Sequence, residues 1–393
     1  MIAVREPHTT SDLSRLDEAW AAPETFAIVP DKSPIDGDAL VSAAQLLPVE
    51  LRHDHFIMMT SGSTGEPKLV IGNRERAAAL ARVLHARQDS EAVRGTIAML
   101  PLSYTFAFVN QWVWARVLER RFVQTGGLAN ASTLRAALTS ARNAMVCLVG
   151  AQVPLLLDAF PDDAFPGVIR IHFAGGRFPQ ERLGDVSRLF PCADVFNNYG
   201  CAEAMPRLTI RRASDAGVAE HVGWPLPGVE LRCDAADAMF FRSAFGAVGV
   251  IEGGVFRSIS SEDWVATGDL GQQSADGAWR LLGRAGDVFK RHGEKVSPLV
   301  LLEAATSAWR GGLACYRDVD AFGEPGCVLT LSPPPDADSV RRLLGAVRRH
   351  LRRAQWPLRI ECVDTMPLLP SGKPDVHAIG SAPSRRVLWK QYL

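Results

Sequence analysis

The sequence predicts an α/β protein: a large N-terminal domain of mostly parallel sheet-and-helix layers with a small antiparallel β region, then a small α+β C-terminal domain. Three observations carry that expectation. Short apolar runs alternate with amphipathic stretches through the first half of the chain. After about residue 220 the texture changes to short spans with turn residues between them. From about residue 287 a smaller unit begins, with a basic amphipathic helix of its own.

In chain order, FIMMT (56–60), GTIAML (95–100), AMVCLVG (144–150), VIRIHFAGG (168–176) and ADVFNNYG (193–200) read as buried strands. RERAAALARVLHARQ (74–88) and TLRAALTSAR (133–142) read as helices, each between two of those strands, which implies substantial parallel pairing. The apolar stretch AMVCLVGAQVPLLLDAF is interrupted by Gly150, Gln152 and Pro154, so it reads as strand then helix rather than a membrane span. GWPLPGVELRCD (223–234), AMFFRSAFG (238–246) and GGVFRSIS (253–260) read as antiparallel strands. SPPPDADS is a loop, and SVRRLLGAVRRHLRRAQW (339–356) a helix with a solvated arginine face over a Leu/Val stripe.

Composition bounds the function. A chain of 393 residues exceeds one ordinary core, and the balance of 43 basic against 43 acidic residues argues against a broad nucleic-acid or anionic-membrane surface. Seven cysteines are scattered without ligand spacing, and the N-terminus has no apolar signal core. A reduced, cytoplasmic protein is expected, with no nucleic-acid or membrane partner.

Five stretches carry chemistry. TSGSTGEPK (60–68) concentrates Thr60, Ser61, Gly62, Ser63, Thr64, Gly65 and Lys68: backbone amides freed by glycine, hydroxyls and one ammonium could wrap a polyphosphate. The spacing is not that of a Walker loop, and a flexible turn is the plain alternative. NNYGCAEA (197–204) places Tyr199 and Glu203 at a strand end, where an aromatic can stack on a base and a carboxylate can hold Mg²⁺ among phosphates; otherwise it is a structural turn. WVATGDLG (264–271) puts Asp269 at a strand-to-turn junction suited to two ribose hydroxyls, or merely to an Asx-type turn. GRAGDVFKRHGEKVSP (283–298) is a basic, glycine-bounded segment, and LLPSGKPD (368–375) presents Lys373 on a loop.

In this order and spacing, from about residue 56 to 376, the segments resemble the adenylate-forming superfamily of acyl- and aryl-CoA synthetases, peptide-synthetase adenylation domains and luciferases. The resemblance implies ATP-dependent activation of a carboxylic acid to an acyl-adenylate with loss of pyrophosphate. Transfer to the thiol of CoA, or of phosphopantetheine on an acyl carrier protein, follows. It implies that the 60–68 loop takes the β- and γ-phosphates, Tyr199 and Asn198 the adenine, Asp269 and Arg284 the ribose, and Glu203 the Mg²⁺. Gly200 completes the adenine motif, and AGGR (174–177) brings Gly175 along the nucleotide and Gly176 along the acid. Lys373 would bridge carboxylate and α-phosphate. Gly286 would be the hinge between residues 1–285 and a mobile domain over 286–393.

For the acid, LPLSYTFAF (100–108) supplies Tyr104, Thr105, Phe106 and Phe108, with Cys201 from the adenine motif. No acidic residue occurs from Ala98 to Leu118, so an α-ammonium would go unpaired, and an aryl or acyl acid is expected over an α-amino acid. An amino-acid-activating enzyme, or a catalytically impaired nucleotide binder, is the alternative. Four features depart from the family pattern: Ala202 before the glutamate, Gly286 at the hinge, Tyr104 where many synthetases carry histidine, and a shortened N-terminal region.

Overall fold

The computed structural model describes residues 1–30, 40, 45–61, 67–176, 178–215, 221–369 and 374–391. Its first elements are β1 (Ile2–Arg5), α1 (Ser14–Ala21), β2 (Phe26–Val29), β3 (His55–Ser61), β4 (Pro67–Asn73) and α2 (Arg74–Arg87). β1, β2 and β3 run parallel, while β3 and β4 form an antiparallel hairpin with Thr60 opposite Lys68. Asn73 ends the hairpin and caps α2, its side chain accepting from the Arg76 amide at 3.0 Å. Thr60 and Ser61 on β3, and Pro67 and Lys68 on β4, therefore stand in paired strands. α2 leads from this sheet to another, and is not a crossover between neighbouring strands as the alternation suggested.

The second sheet begins with β5 (Gly95–Ala98), and a continuous helical segment follows. This segment, α3, is built from Thr105–Ala107, a π-helical Phe108–Val113 and Trp114–Val117. Next come β6 (Arg121–Gln124), α4 (Ala131–Thr139), β7 (Ala144–Leu148), α5 (Gln152–Ala159), β8 (Val168–Phe173), α6 (Leu183–Leu189) and β9 (Asp194–Tyr199). The strands from β6 to β9 are all parallel, in the order β6-β5-β7-β8-β9. Every residue of β5 and β7 is buried, as expected for parallel strands covered on both faces.

Beyond β9 the same sheet continues antiparallel through β10 (Thr209–Arg212), β11 (His221–Pro225), β12 (Val229–Cys233) and β13 (Ala238–Ser243). β14 (Gly249–Glu252) and β15 (Val255–Ser258) then return to the first sheet, β14 pairing with β4. β16 (Val265–Gln273) and β17 (Trp279–Arg284) complete an eleven-stranded sheet. The expected antiparallel region is thus a continuation of the parallel sheet, and GGVFRSIS belongs elsewhere, to the N-terminal sheet. Alternation along a strand identifies a covered face but not the sheet that covers it.

The remaining elements are a hairpin, β18 (Phe289–Arg291) and β19 (Glu294–Val296), then α7 (Pro298–Thr306), β20 (Gly312–Val319), β21 (Pro325–Ser332), α8 (Ala337–His350), β22 (Arg359–Cys362), α9 (Val376–Ser381) and β23 (Arg386–Lys390). His292 and Gly293, both at positive φ, make the two-residue hairpin turn. β20 to β23 form a four-stranded sheet of their own, with Leu329, Leu331, Leu343 and Ile360 in its core. α8 starts at the Asp336 cap and stops at His350, short of Trp356, because Leu351 turns to extended backbone. Gly286 sits in the exposed turn between β17 and β18.

Among the described residues no helix is long and apolar enough to cross a membrane. All seven cysteines are free thiols.

Candidate active site

The site lies where β9 ends, beside the Ser61–Pro67 end of the β3–β4 hairpin. Glu203 occupies a short 3-10 turn, Ala202–Ala204, just after β9. Its carbonyl accepts from the Ala247 amide at 2.8 Å, which ties the turn to the segment entering β14. Lys68, one residue into β4, extends Nζ to Glu203 Oε1 at 2.6 Å and to Glu252 Oε2 at 3.7 Å. Gly62, Ser63, Thr64 and Gly65 lie outside the described residues, whereas Thr60 does not: its hydroxyl donates to the Lys68 carbonyl at 3.4 Å. Ser61 closes the hairpin opposite Pro67.

A second chain of contacts begins on the same strand. Tyr199 donates its hydroxyl to Asp269 Oδ2 at 2.7 Å, and Asp269 Oδ1 holds Arg284 Nε at 3.0 Å. Asp269 and Arg284 face each other across β16 and β17, so the ion pair follows from strand register. The expected strand-to-turn junction is therefore corrected: Asp269 stands inside a nine-residue strand, after Gly268 at φ +78°. Burial, with Asp269 and Cys201 beside it, pushes the Tyr199 phenol well above its ordinary value, so it stays a donor. Gly200 is required here, because a Cβ would overlap the Pro206 carbonyl.

The acid-pocket candidates divide. Tyr104 N-caps α3 and lies over Gly175, where φ is +77° and a Cβ would sit 2.9 Å from the Tyr104 hydroxyl. Gly176 is exposed beside it, Thr105 and Phe106 are buried behind it, and Cys201 is buried under the β9 turn. Burial also pushes the Cys201 thiol well above its ordinary value. Phe108 is corrected to core. It stacks on Trp112 at 5.2 Å and meets Phe56 at 5.0 Å, Trp20 at 6.2 Å and Phe26 at 6.4 Å, holding α3 against the first sheet. Asn198 also stands apart. Strand alternation sends it away from Tyr199, and its Nδ2 donates to the Phe173 carbonyl at 3.0 Å.

Lys373 lies outside the described residues. The base of its loop is defined by a bridge between Leu368 and Pro374 and by Asp375 N donating to the Pro367 carbonyl at 2.9 Å. A Cβ at Gly286 would meet nothing within 4 Å.

Two residues escaped the sequence reading. Glu252 flanks Lys68 and ends the apolar run VGVIE. Arg207, in AMPRLTI, is fully buried, and all three guanidinium nitrogens lack a hydrogen-bond partner among the described residues. A lone cation inside an apolar run was the available signal. Among the described residues, no three His, Cys, Asp or Glu side chains gather to hold a metal. Mg²⁺ needs few protein ligands when phosphates and water supply the rest, so the Glu203 carboxylate fits that ion.

The chain matches the family described as AMP-binding enzyme over residues 3–238. It is 25% identical over 401 aligned positions to a probable non-canonical nonribosomal peptide synthetase, CymA, of Salinispora arenicola, covering 93% of this chain and 5% of that protein. It is 24% identical over 352 positions to the medium/long-chain-fatty-acid–[acyl-carrier-protein] ligase FadD10 of Mycobacterium tuberculosis, covering 81% of this chain and 64% of that one. The crystal structure of the anthranilate CoA ligase AuaEII with anthranoyl-AMP shares the fold, with a TM-score of 0.70 at 18% identity over 91% of this chain and 73% of that one. Family match, shared fold and the α/β architecture agree: the chain belongs to the AMP-binding enzyme family of adenylate-forming ligases.

Proposed function

We propose that this chain uses ATP to activate an aryl or acyl carboxylic acid as its acyl-adenylate, releases pyrophosphate, and passes the acyl group to a thiol of CoA or of a carrier-protein phosphopantetheine. The observation that carries the reading is the convergence on β9. Four positions apart in the chain, Tyr199 meets Asp269, which in turn holds Arg284, and Glu203 meets Lys68. Separate segments of the sequence thus deliver an aromatic face, two carboxylates and two cations to one strand end.

In this reading the chemistry is charge neutralisation and positioning, because carboxylate and triphosphate repel. Lys68 and the 62–65 loop hold the departing pyrophosphate, and Asp269 with Arg284 orients the ribose. Tyr199 lies against the adenine. Lys373 draws the carboxylate toward the α-phosphate. Mg²⁺, held by Glu203, would screen the phosphate oxygens. Residues 286–393 form a C-terminal domain that moves about Gly286.

An α-amino acid is the second reading, favoured by the similarity to peptide synthetases. The pocket supports the first, since no acidic residue from Ala98 to Leu118 would meet an ammonium group. ATP–pyrophosphate exchange across a panel of acyl, aryl and amino acids decides between them, and CoA and holo-carrier protein are then compared as acceptors. Exchange supported only by amino acids would overturn the substrate class, and ADP as product would overturn the reaction. Lys373→Ala is expected to lower adenylation about 10²-fold while thioester formation from supplied acyl-adenylate survives.

A further inference from the structure

Arg207 is the largest unexplained feature of the fold. It leaves the β9 turn four residues after Glu203, with its backbone amide donating to the Ala204 carbonyl at 3.1 Å. The next residue, Leu208, donates its amide to the Tyr199 carbonyl at 2.8 Å, so Arg207 is fixed beside the adenine-site strand. Its guanidinium carbon lies 5.9 Å from the centre of the Phe106 ring, a residue that the sequence reading assigns to the acid pocket. Nε, Nη1 and Nη2 are buried without partners among the described residues.

Among the described residues, the titratable groups beside it on β7 and β8 carry no negative charge. Burial pushes the Cys147 thiol on β7 up to about 12, and it stays protonated despite the pull of Arg207. Burial, with Arg207 and Arg170 close by, keeps His172 on β8 well below its ordinary value and therefore neutral. His172 Nδ1 faces the Asn198 amide nitrogen at 3.5 Å, which assigns the ring proton to Nε2, itself buried and unpartnered. Burial lowers Arg207 itself to about 9, so it remains charged at neutral pH. A buried cation without a counter-charge is strongly unfavourable, and proteins retain one where a ligand completes the pair.

We propose that Arg207 receives a second carboxylate of the acid substrate, so that the enzyme activates a dicarboxylic acid at the end remote from Arg207. The inference rests on the acid-activating reading and narrows its substrate class. A fork of guanidinium donors suits a carboxylate, and Phe106 supplies the apolar spacer wall between the two acid groups.

The test is ATP–pyrophosphate exchange by the whole chain with linear diacids from succinate to suberate and with the benzenedicarboxylic acids. Each is set beside its monomethyl ester and beside the analogue with methyl in place of the second carboxyl; α-amino acids are included. At least one diacid is expected to exceed both analogues by about 10²-fold in kcat/KM, the scale of a buried charge pair. Arg207→Met is expected to erase that preference while ATP alone still raises the melting temperature, and the variant should melt above wild type because a buried unpaired charge is gone. Half-esters or monoacids used as well as diacids by wild type would overturn the proposal while leaving acid activation standing. So would an Arg207→Met variant that slows all acids equally. Exchange with no acid in the panel would overturn the reading on which it rests. Should Arg207→Met not fold, Arg207→Lys is expected to keep the diacid preference at a higher KM, and loss of preference there would count against the proposal.

Discussion

Lys68 Nζ lies 2.6 Å from Glu203 Oε1, an ion pair between residues 135 positions apart that joins the first sheet to the second. Both side chains are mostly buried, at 17% and 16% exposure, so the pair is shielded from solvent. The lysine assigned to the leaving phosphates and the carboxylate assigned to the metal are therefore held at one point by the fold.

Glu203→Gln keeps the shape of that contact but removes its charge. The Mg²⁺ concentration for half-maximal pyrophosphate exchange is expected to rise about tenfold or more, with the order of preferred acids unchanged. Magnesium titration of both proteins measures this, and an unchanged requirement would remove Glu203 from the metal site.

Phe106 and Phe108 are both buried and stand two residues apart on α3, but they meet different partners: Arg207 lies over the Phe106 ring, and Phe56, Trp112, Trp20 and Phe26 surround Phe108. Phe108→Ala is expected to cost about 3–5 kcal/mol of stability with acid preference intact, because it opens the aromatic core. Phe106→Ala is expected to reorder the preferred acids. Denaturant melts and an acid panel read the two effects, and a Phe108→Ala variant of normal stability would contradict the core placement.

The hinge proposal has a clean variant, because a Cβ at Gly286 meets nothing. Gly286→Ala is expected to fold and work normally. Gly286→Pro fixes φ near −65° and should preserve one half-reaction while abolishing the other. Both half-reactions at wild-type rates in Gly286→Pro would reject the hinge and the boundary near residue 286.

His172 makes stability depend on acid. Burial holds its folded value well below 6.5, so as pH falls past about 6.5 the unfolded chain takes up a proton that the folded chain refuses. Its contribution is present above that value and lost below it, at up to about 1.4 kcal/mol per pH unit. Urea midpoints at about pH 7.5 and about pH 5.5 should differ in that direction, and His172→Gln should narrow the gap. An unchanged gap would mean that other groups dominate.

The sequence by itself determined the fold class, the parallel strands from GTIAML to ADVFNNYG and the family, because these rest on local periodicity and short motifs. Tertiary structure alone decided which sheet each strand joined. FIMMT and GGVFRSIS look like their neighbours in sequence, yet they pair in a separate sheet through Val70 and Val250. It also decided that Phe108 packs among Phe56, Trp112, Trp20 and Phe26 while Phe106 meets Arg207, since residues two apart on a helix point to opposite sides and composition carries no direction. Arg207 shows the limit most plainly. Its letter is visible in AMPRLTI, but that it is buried, without a hydrogen-bond partner among the described residues and beside Phe106 depends on strands β7 to β10 closing around it. Burial is a property of chain segments far apart in sequence, and so is the charge imbalance it creates.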